Sequence, residues 1–330
     1  MGVEPDSLLA GSRLAVTVAI PTYRRPGMLA SLLGEVRRQA TALDLVTGGR
    51  TVLLVADNDP DAGARPVVGE HPGVQYLHVP QPGIAAVRDA CLREAPGVVL
   101  QFIDDDELPA PDWLETMVGC WLTLDRPDAL AGSVLPRFDS TPSPWVQAGG
   151  FFDRSRPPTG TALPAAPAGN LLVNLATVRE LGIGFDPRLG LRGGEDTLFS
   201  RQLVASGGRI AFCREGIIHD LVPDARNNRE WVLRRAWHHG NTSSTVALWD
   251  TAGPRRAAAR VALTLRGSGR AVVGVVQATV GTLTGDLGRN ARGWRLASRG
   301  RGIVAGHGDA RRLSTTVRRS DPGGRPTGAR

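Results

Sequence analysis

The segment Val98-Val99-Leu100-Gln101-Phe102-Ile103-Asp104-Asp105-Asp106-Glu107 is an apolar run that leads directly into four consecutive acids. We predict a buried strand over Val98–Ile103 that delivers these acids at its carboxyl end. Neighbouring carboxylates repel one another, so a divalent cation or strong hydrogen-bond donors must compensate them. In an extended chain the side chains of Asp104 and Asp106 point to the same side and that of Asp105 points to the other. Asp104 and Asp106 therefore offer two hard oxygen ligands to Mg²⁺ or Mn²⁺. Taken alone, the tetrad is equally consistent with a solvated acidic loop before the next helix.

Working outward, three more apolar runs predict strands, at Leu14–Ile20, Thr51–Ala56 and Val74–Val79. Helical patterns at Met28–Gln39 and Ile84–Glu94 lie between the strands. Alternation of strand and helix predicts a largely parallel sheet with helices on both faces. In such sheets, ligands bind beyond the carboxyl ends of the strands.

Length and composition bound the class of protein. With 330 residues and 42% hydrophobic content, the chain can form one large domain with appendages, or two domains. Its 3 cysteines are odd in number and form no C-x-x-C, which argues against a disulfide framework or a cysteine-based zinc site. We find neither a secretion signal nor a run of 18 apolar residues, so we expect a cytoplasmic protein.

The formal net charge of +7 is carried by arginine alone and is concentrated after Pro254. This tail contains two apolar stretches, Ala257–Leu265 and Ala271–Leu283, separated by Gly267-Ser268-Gly269 and followed by an arginine cluster interleaved with Trp294. The charge predicts an anionic partner: a membrane surface, a phosphate-bearing substrate or nucleic acid. Packing on the rest of the protein or an oligomer interface is the alternative for these helices.

Four polar clusters follow successive predicted elements. They are Pro21–Arg24, Asp57, Asp104–Glu107, and Gly193–Asp196 with His219 beyond it. Any one of them alone is weak, but four in this order are far more specific.

With these clusters, the chain resembles the bacterial inverting glycosyltransferases of family 2. The resemblance spans roughly Arg13–Asp250. It implies a GT-A fold, an α/β architecture with a Rossmann-like, mostly parallel central sheet, here followed by a helical basic C-terminal extension. We therefore expect an N-terminal tail over 1–12, a catalytic domain over 13–250, an Arg-rich helical extension over 251–310 and a disordered tail over 311–330. The matching segments are VTVAIPTYRRPGMLASLL, VLLVADNDPD, AAVRDA, FIDDDELPAPDWL, AGNLLVN, FDPRLGLRGGEDTLFSRQL and IIHDLVPDAR.

The resemblance implies a nucleotide-sugar site at the strand ends. Asp57 would accept a hydrogen bond from the base, although a turn-forming acid is its ordinary interpretation. Arg88 would turn its guanidinium fork toward the pyrophosphate, and a solvated helix arginine is the alternative. The residues implied for this site are Pro21, Thr22, Arg24, Asp57, Arg88, Asp104, Asp105 and Gly194.

The resemblance also implies a metal site and a general base. Asp106 would bind Mn²⁺ or Mg²⁺ directly, with Asp104 near the ribose or metal and His219 completing the site. Asp196 would take the proton of the acceptor hydroxyl, with Glu195 as the alternative base. Acids in the first turn of a helix are also expected from capping alone.

These inferences predict a hexosyltransferase-type, metal-assisted enzyme that transfers a sugar from a UDP-, GDP- or dTDP-sugar to a glycan or lipid-linked acceptor. We expect polysaccharide biosynthesis for the cell envelope, peripheral contact with the inner face of the cytoplasmic membrane, and no nucleic-acid partner. A metal-dependent nucleotidyltransferase is the first alternative, but those enzymes usually carry a Lys-bearing, Gly-rich phosphate loop and this chain has no lysine. A non-catalytic protein that binds anionic surfaces is the second, and it would not explain the acids and the histidine.

Overall fold

The computed structural model describes residues 9–249 and 251–317. The chain divides into two compact units, one made of residues 1–139 and 152–223, the other of residues 140–151 and 224–330. The predicted boundaries at residues 12, 250 and 310 concern the extent of the catalytic domain and stay a prediction.

The first unit is built on a sheet of eight strands. They are β1 (Ala15–Thr22), β2 (Arg50–Asp57), β3 (Gln75–His78), β4 (Val99–Phe102), β5 (Glu107–Pro109), β6 (Ala129–Phe138), β7 (Leu171–Asn174) and β8 (Ile210–Val222). Their order across the sheet is β3-β2-β1-β4-β7-β6-β8-β5. β1 pairs in parallel with β2 and β4, β2 with β3, and β6 with β8, whereas β5 and β7 run antiparallel to their neighbours. The predicted mostly parallel sheet is confirmed.

Ten α-helices accompany these strands in the described residues. They are α1 (Pro26–Thr47), α2 (Arg65–Gly69), α3 (Ile84–Glu94), α4 (Trp113–Thr123), α5 (Pro144–Gly149), α6 (Leu175–Glu180), α7 (Glu195–Ala205), α8 (Arg229–Ala247), α9 (Gly253–Thr284) and α10 (Leu287–Val317). The second unit contains α5, α8, α9 and α10.

Helices of the first unit cover both faces of the sheet because its central strands are apolar on both sides. In β1, Ile20 joins an apolar cluster with Trp113 of α4, while the adjacent Ala19 joins a second cluster with Val87 of α3 and Phe199 of α7. This alternation of faces along β1 is the two-residue period of a strand.

A glycine pair sets the start of α7. Gly193 and Gly194 have φ angles of 75° and 95°, in the left-handed region that glycine adopts without steric cost. The turn places Glu195 and Asp196 in the first turn of α7.

In the second unit, α9 and α10 pack closely through glycine. Gly267, Gly274 and Gly281 recur every seven residues on α9, and a Cβ at each would overlap the backbone of α10. Within residues 9–249 and 251–317, no helix is long and apolar enough to cross a membrane.

Three local predictions differ from the structure. The expectation that Gly267-Ser268-Gly269 separates two helices is wrong, because α9 continues through the segment. Close packing against α10 offsets the low helix propensity of glycine. The sequence also predicts two short strands, over Arg209–Cys213 and Gly216–His219, but both belong to one strand, β8, with a register shift opposite Gly132 and Ser133. Helix α10 extends to Val317, and the remainder of the predicted disordered tail, 318–330, lies outside the described residues.

Candidate active site

A cleft of about 520 Å³ opens in the first unit at the carboxyl ends of β1, β2 and β4. The predicted clusters after β1 and β4 therefore meet in one place. The cleft is lined by Pro21, Thr22, Tyr23, Arg25, Asn58, Pro60, Pro82, Gly83, Ile84, Val87, Arg88, Asp104, Asp105, Asp106, Gly190 and Leu191.

The acidic run forms part of the cleft wall and is compensated by guanidinium groups. Asp105 accepts hydrogen bonds from Oγ1 of Thr22 at 2.8 Å and Nη1 of Arg25 at 2.7 Å. The same Nη1 of Arg25 lies 3.0 Å from a carboxylate oxygen of Asp106. Burial raises the pKa of Asp105, and the bonds from Thr22 and Arg25 offset part of that rise. Residues 105 and 106 form a turn rather than extended chain, so Asp105 and Asp106 share Arg25.

Arg88 of α3 connects the acidic run to the start of α7. Its Nη2 donates to Asp104 at 2.9 Å, and its Nη1 donates to Oε1 of Glu195 at 2.6 Å. Burial alone would lower the pKa of Arg88, but the charges of Asp104 and Glu195 outweigh it and raise that pKa. The guanidinium is therefore a fixed cation, and its Nε has no hydrogen-bond partner among the described residues.

Glu195 and Asp196 occupy different environments although they are neighbours. Glu195 is buried, and its Oε2 has no hydrogen-bond partner in the described part of the chain. Burial raises the pKa of Glu195, and the charge of Arg88 opposes that rise. Asp196 is only partly buried, and its Oδ1 accepts from the backbone N–H of Thr197 at 2.6 Å. Glu195, Asp196 and Gly194 do not line the cleft itself.

Asp57 lies at the end of β2 but does not line the cleft. Its carboxylate is fully buried and accepts hydrogen bonds from the backbone N–H of Asp59 and Ala64 and from the hydroxyl of Tyr76. Three donors do not exhaust the lone pairs of a carboxylate, but a nucleotide base could reach Asp57 only if the residues that bury it rearranged. The predicted role of Asp57 stays a prediction.

Arg24 and Arg25 diverge at the end of β1. Arg24 has a φ of 54° and pairs with Asp59 at 3.0 Å and with Asp61 at 3.2 Å, outside the cleft lining. Arg25 instead enters the cleft.

His219 lies in β8, where it pairs with Leu108 of β5 and Leu135 of β6. It does not line the cleft. Across residues 9–249 and 251–317, no three or more His, Cys, Asp or Glu side chains are grouped so as to hold a metal ion. The structure brings Asp104 and Asp106 to one wall, each against a guanidinium.

Sequence reasoning missed several cleft residues. Tyr23, Arg25 and Leu191 line the cleft beside predicted residues. Asn58 also lines it, and its amide bridges the carbonyls of Val79 and Gln81. Tyr23, Arg25 and Asn58 are each adjacent to a predicted site residue, but adjacency does not indicate which neighbour turns inward, and Leu191 has no such signal.

Comparison with known proteins identifies the family of this chain. Residues 17–173 match the family described as Glycosyl transferase family 2. The succinoglycan biosynthesis protein ExoM of Rhizobium meliloti is 31% identical over 249 residues, which cover 74% of this chain and 79% of ExoM.

Two solved structures share the fold. The mannosyltransferase PcManGT from Pyrobaculum calidifontis, in complex with GDP-Man and Mn2+, has a TM-score of 0.53 at 20% identity, and the match covers 93% of this chain and 80% of that one. S. aureus TarS 1-349 has a TM-score of 0.51 at 13% identity, with 84% of this chain and 89% of that one covered. Together with the family match and the ExoM likeness, these findings show that the chain belongs to family 2 of the glycosyltransferases and is a glycosyltransferase with a GT-A fold.

Proposed function

We propose that this glycosyltransferase transfers a sugar from a nucleotide-sugar donor to a hydroxyl acceptor by single displacement, with inversion at the anomeric carbon. One observation carries the proposal: the cleft places the guanidinium groups of Arg25 and Arg88 beside the carboxylates after β4. A nucleoside diphosphate requires cationic partners and metal-binding oxygens in one place, and this combination offers both.

The donor's nucleoside is proposed to lie in the part of the cleft lined by Pro21, Thr22, Tyr23 and Asn58, with its diphosphate near Arg25. Arg88 retains a donor at Nε, which supports the predicted contact with the pyrophosphate. Its bonds to Asp104 and Glu195 also give it a positioning role, since they fix Asp104 on the cleft wall.

Asp104 and Asp106 fit a divalent cation as hard oxygen ligands on the cleft wall. Mg²⁺ is commonly held by one or two carboxylates together with substrate phosphates, so two protein ligands suffice, and His219 remains a proposed addition. When bound, Mn²⁺ or Mg²⁺ supplies positive charge that stabilises the departing nucleoside diphosphate.

Asp196 is the proposed general base. Glu195 is buried and already bound to Arg88, which leaves it poorly placed to receive a proton from an acceptor. Asp196 is more exposed, lies in the first turn of α7 and feels the charge of Arg88. Its carboxylate would take the proton of the acceptor hydroxyl as the oxygen attacks the anomeric carbon from the side opposite the diphosphate.

The acceptor is proposed to be a glycan or a lipid-linked precursor in polysaccharide biosynthesis for the cell envelope. The likeness to ExoM, named for succinoglycan biosynthesis, supports this class. We expect the donor to be a UDP-, GDP- or dTDP-sugar and the enzyme to act at the inner face of the cytoplasmic membrane.

A donor-hydrolysis screen tests the proposal. The full chain is incubated with UDP-, GDP- and dTDP-sugars in the presence of Mn²⁺, Mg²⁺ or EDTA, and released sugar is measured. We expect slow hydrolysis of one donor class that requires the metal and is lost in Asp106→Ala but kept in Asp112→Ala, an exposed acid outside the cleft lining. Hydrolysis that EDTA leaves unchanged, or that survives Asp106→Ala, would contradict the proposed site.

A further inference from the structure

Helix α9 of the second unit has a buried face of glycines and an exposed face of larger apolar side chains. Its glycine face, with Gly267, Gly274 and Gly281, is buried against α10. These glycines already pack against α10 of the same chain, so they are not available for a contact with a second copy. The larger apolar side chains of α9 lie on the other side.

That other side is uncharged and mainly apolar, with Ser268, Gly269 and Thr279 between its large side chains. Its large side chains follow each other at spacings of four and seven residues, which places them on one side of a helix. They are highly exposed: Val261 60%, Leu265 69%, Val272 64%, Val276 56% and Leu283 80%. At 1.5 Å per residue the face is roughly 33 Å long.

The face contains no charged residue, and its flank is cationic. A turn of about 100° per residue places Arg266 and Arg270 between the apolar face and the glycine face. Partial burial lowers the pKa of Arg270, and the charges of Arg266 and Arg299 lower it further. Burial lowers the pKa of Arg299, and the charge of Arg295 lowers it further. These four arginines therefore form a mutually repelling cluster.

Acids that could compensate the cluster are nearly absent from this part of the sequence. Between residues 251 and 308 the sequence holds ten arginines and one acid, Asp286. An uncompensated cationic flank beside an uncharged apolar face is the arrangement of helices that lie in the headgroup region of a bilayer.

We propose that the apolar face of α9 is a membrane-docking surface that inserts into a bilayer interface, while Arg266, Arg270 and Arg299 contact anionic phospholipid headgroups. The inference deepens the proposed location of the enzyme, but it concerns a surface outside the catalytic cleft. A second copy of the chain is disfavoured as the occupant, because it would bring another cationic flank toward the first and supply few acids.

Vesicle co-sedimentation of the full chain tests the proposal, without donor or acceptor present. We expect binding to phosphatidylcholine vesicles that contain phosphatidylglycerol, and much weaker binding to pure phosphatidylcholine. The double variant Val272→Asp/Val276→Asp should lose about tenfold or more in partitioning, since it places two charges in the inserted face. Arg266→Gln/Arg270→Gln should lose several-fold and depend less steeply on salt.

The control is Leu45→Asp, which replaces a still more exposed apolar side chain on α1 of the first unit and should bind vesicles like the wild type. Circular dichroism checks that each variant folds, and Leu265→Glu replaces the double variant if that one does not. Wild-type protein that ignores anionic vesicles, or folded face variants that bind as well as the control, would overturn the proposal. So would a dimer in analytical ultracentrifugation that the face variants dissociate while vesicles are ignored.

Nucleoside diphosphate affinity, measured without vesicles, separates this proposal from the proposed function. The face variants should keep the wild-type affinity. Loss of nucleotide binding in every protein would count against the enzyme's proposed donor and leave the vesicle result standing.

Discussion

Arg88 and Glu195 form a buried ion pair with 2.6 Å between Nη1 and Oε1, although the two residues are 107 positions apart. Because Arg88 also binds Asp104, this pair joins the acids after β4 to the first turn of α7. The guanidinium thereby fixes the relative positions of two motifs that the proposed reaction uses together.

Arg88→Gln should destabilise the protein by about 3 to 5 kcal/mol, because it leaves the buried carboxylate of Glu195 without its counter-charge. The measurement is urea unfolding followed by circular dichroism. Arg93→Gln, on the same helix but in an exposed pair with Asp89, is the control and should cost at most about 1 kcal/mol. An equal loss in the free energy of unfolding for the two variants would contradict a larger contribution from the buried pair.

Tyr76→Phe should cost about 1 to 2 kcal/mol at neutral pH, because it removes the hydroxyl that donates to buried Asp57. Burial and then the bond to Asp57 raise the pKa of Tyr76 to about 12. An unfolded tyrosine has a pKa of about 10, so the hydroxyl's contribution is complete below pH 10 and is lost as the pH rises through about 12. The difference between variant and wild type in urea unfolding should therefore shrink over that range. Tyr23→Phe, the same change at an exposed tyrosine, should shift stability by less than about 0.5 kcal/mol, and a Tyr76→Phe cost no larger than this would contradict the assignment.

Arg25→Gln should bind Mn²⁺ roughly tenfold more tightly than the wild type when no nucleotide is present, because it removes a like charge beside Asp105 and Asp106. The same variant should bind a nucleoside diphosphate more weakly. Calorimetric titration measures both affinities. Arg24→Gln makes the same substitution outside the cleft lining, and identical behaviour of the two variants would contradict the placement of Arg25.

Asp196→Asn should retain donor binding and lose transfer by about 10² to 10⁴, as expected for removal of a general base. Glu195→Gln is the matched neighbour. Glu195→Gln should mainly lower the free energy of unfolding, because Glu195 is buried against Arg88. Transfer rates measured on folded protein decide: an active Asp196→Asn beside an inactive Glu195→Gln would move the base by one residue.

Much of the first unit could be predicted from local pattern. The apolar runs at Leu14–Ile20 and Thr51–Ala56 correspond to β1 and β2, and the acids after Ile103 reach the carboxyl edge of the sheet as expected. Hydrophobic periodicity carries this information, because a strand buried on both faces must be apolar throughout.

Side-chain direction at the strand ends could not be predicted in the same way. Arg24 adopts a left-handed backbone conformation, so it turns to Asp59 while Arg25 enters the cleft. The carboxylate of Asp57 accepts a hydrogen bond from the hydroxyl of Tyr76, which lies nineteen residues further along the chain. Such outcomes depend on tertiary partners that spacing along the chain does not reveal.

The central claim, a metal-dependent nucleotide site on the acids after β4, is tested most directly by calorimetric titration of UDP, GDP and dTDP into the full chain with Mn²⁺ and with EDTA. We predict binding of one nucleotide that EDTA weakens by at least about tenfold, with the same loss in Asp106→Ala in the presence of Mn²⁺, since phosphate oxygens and carboxylates share the ion. Equal affinity with Mn²⁺ and with EDTA in both proteins would contradict it.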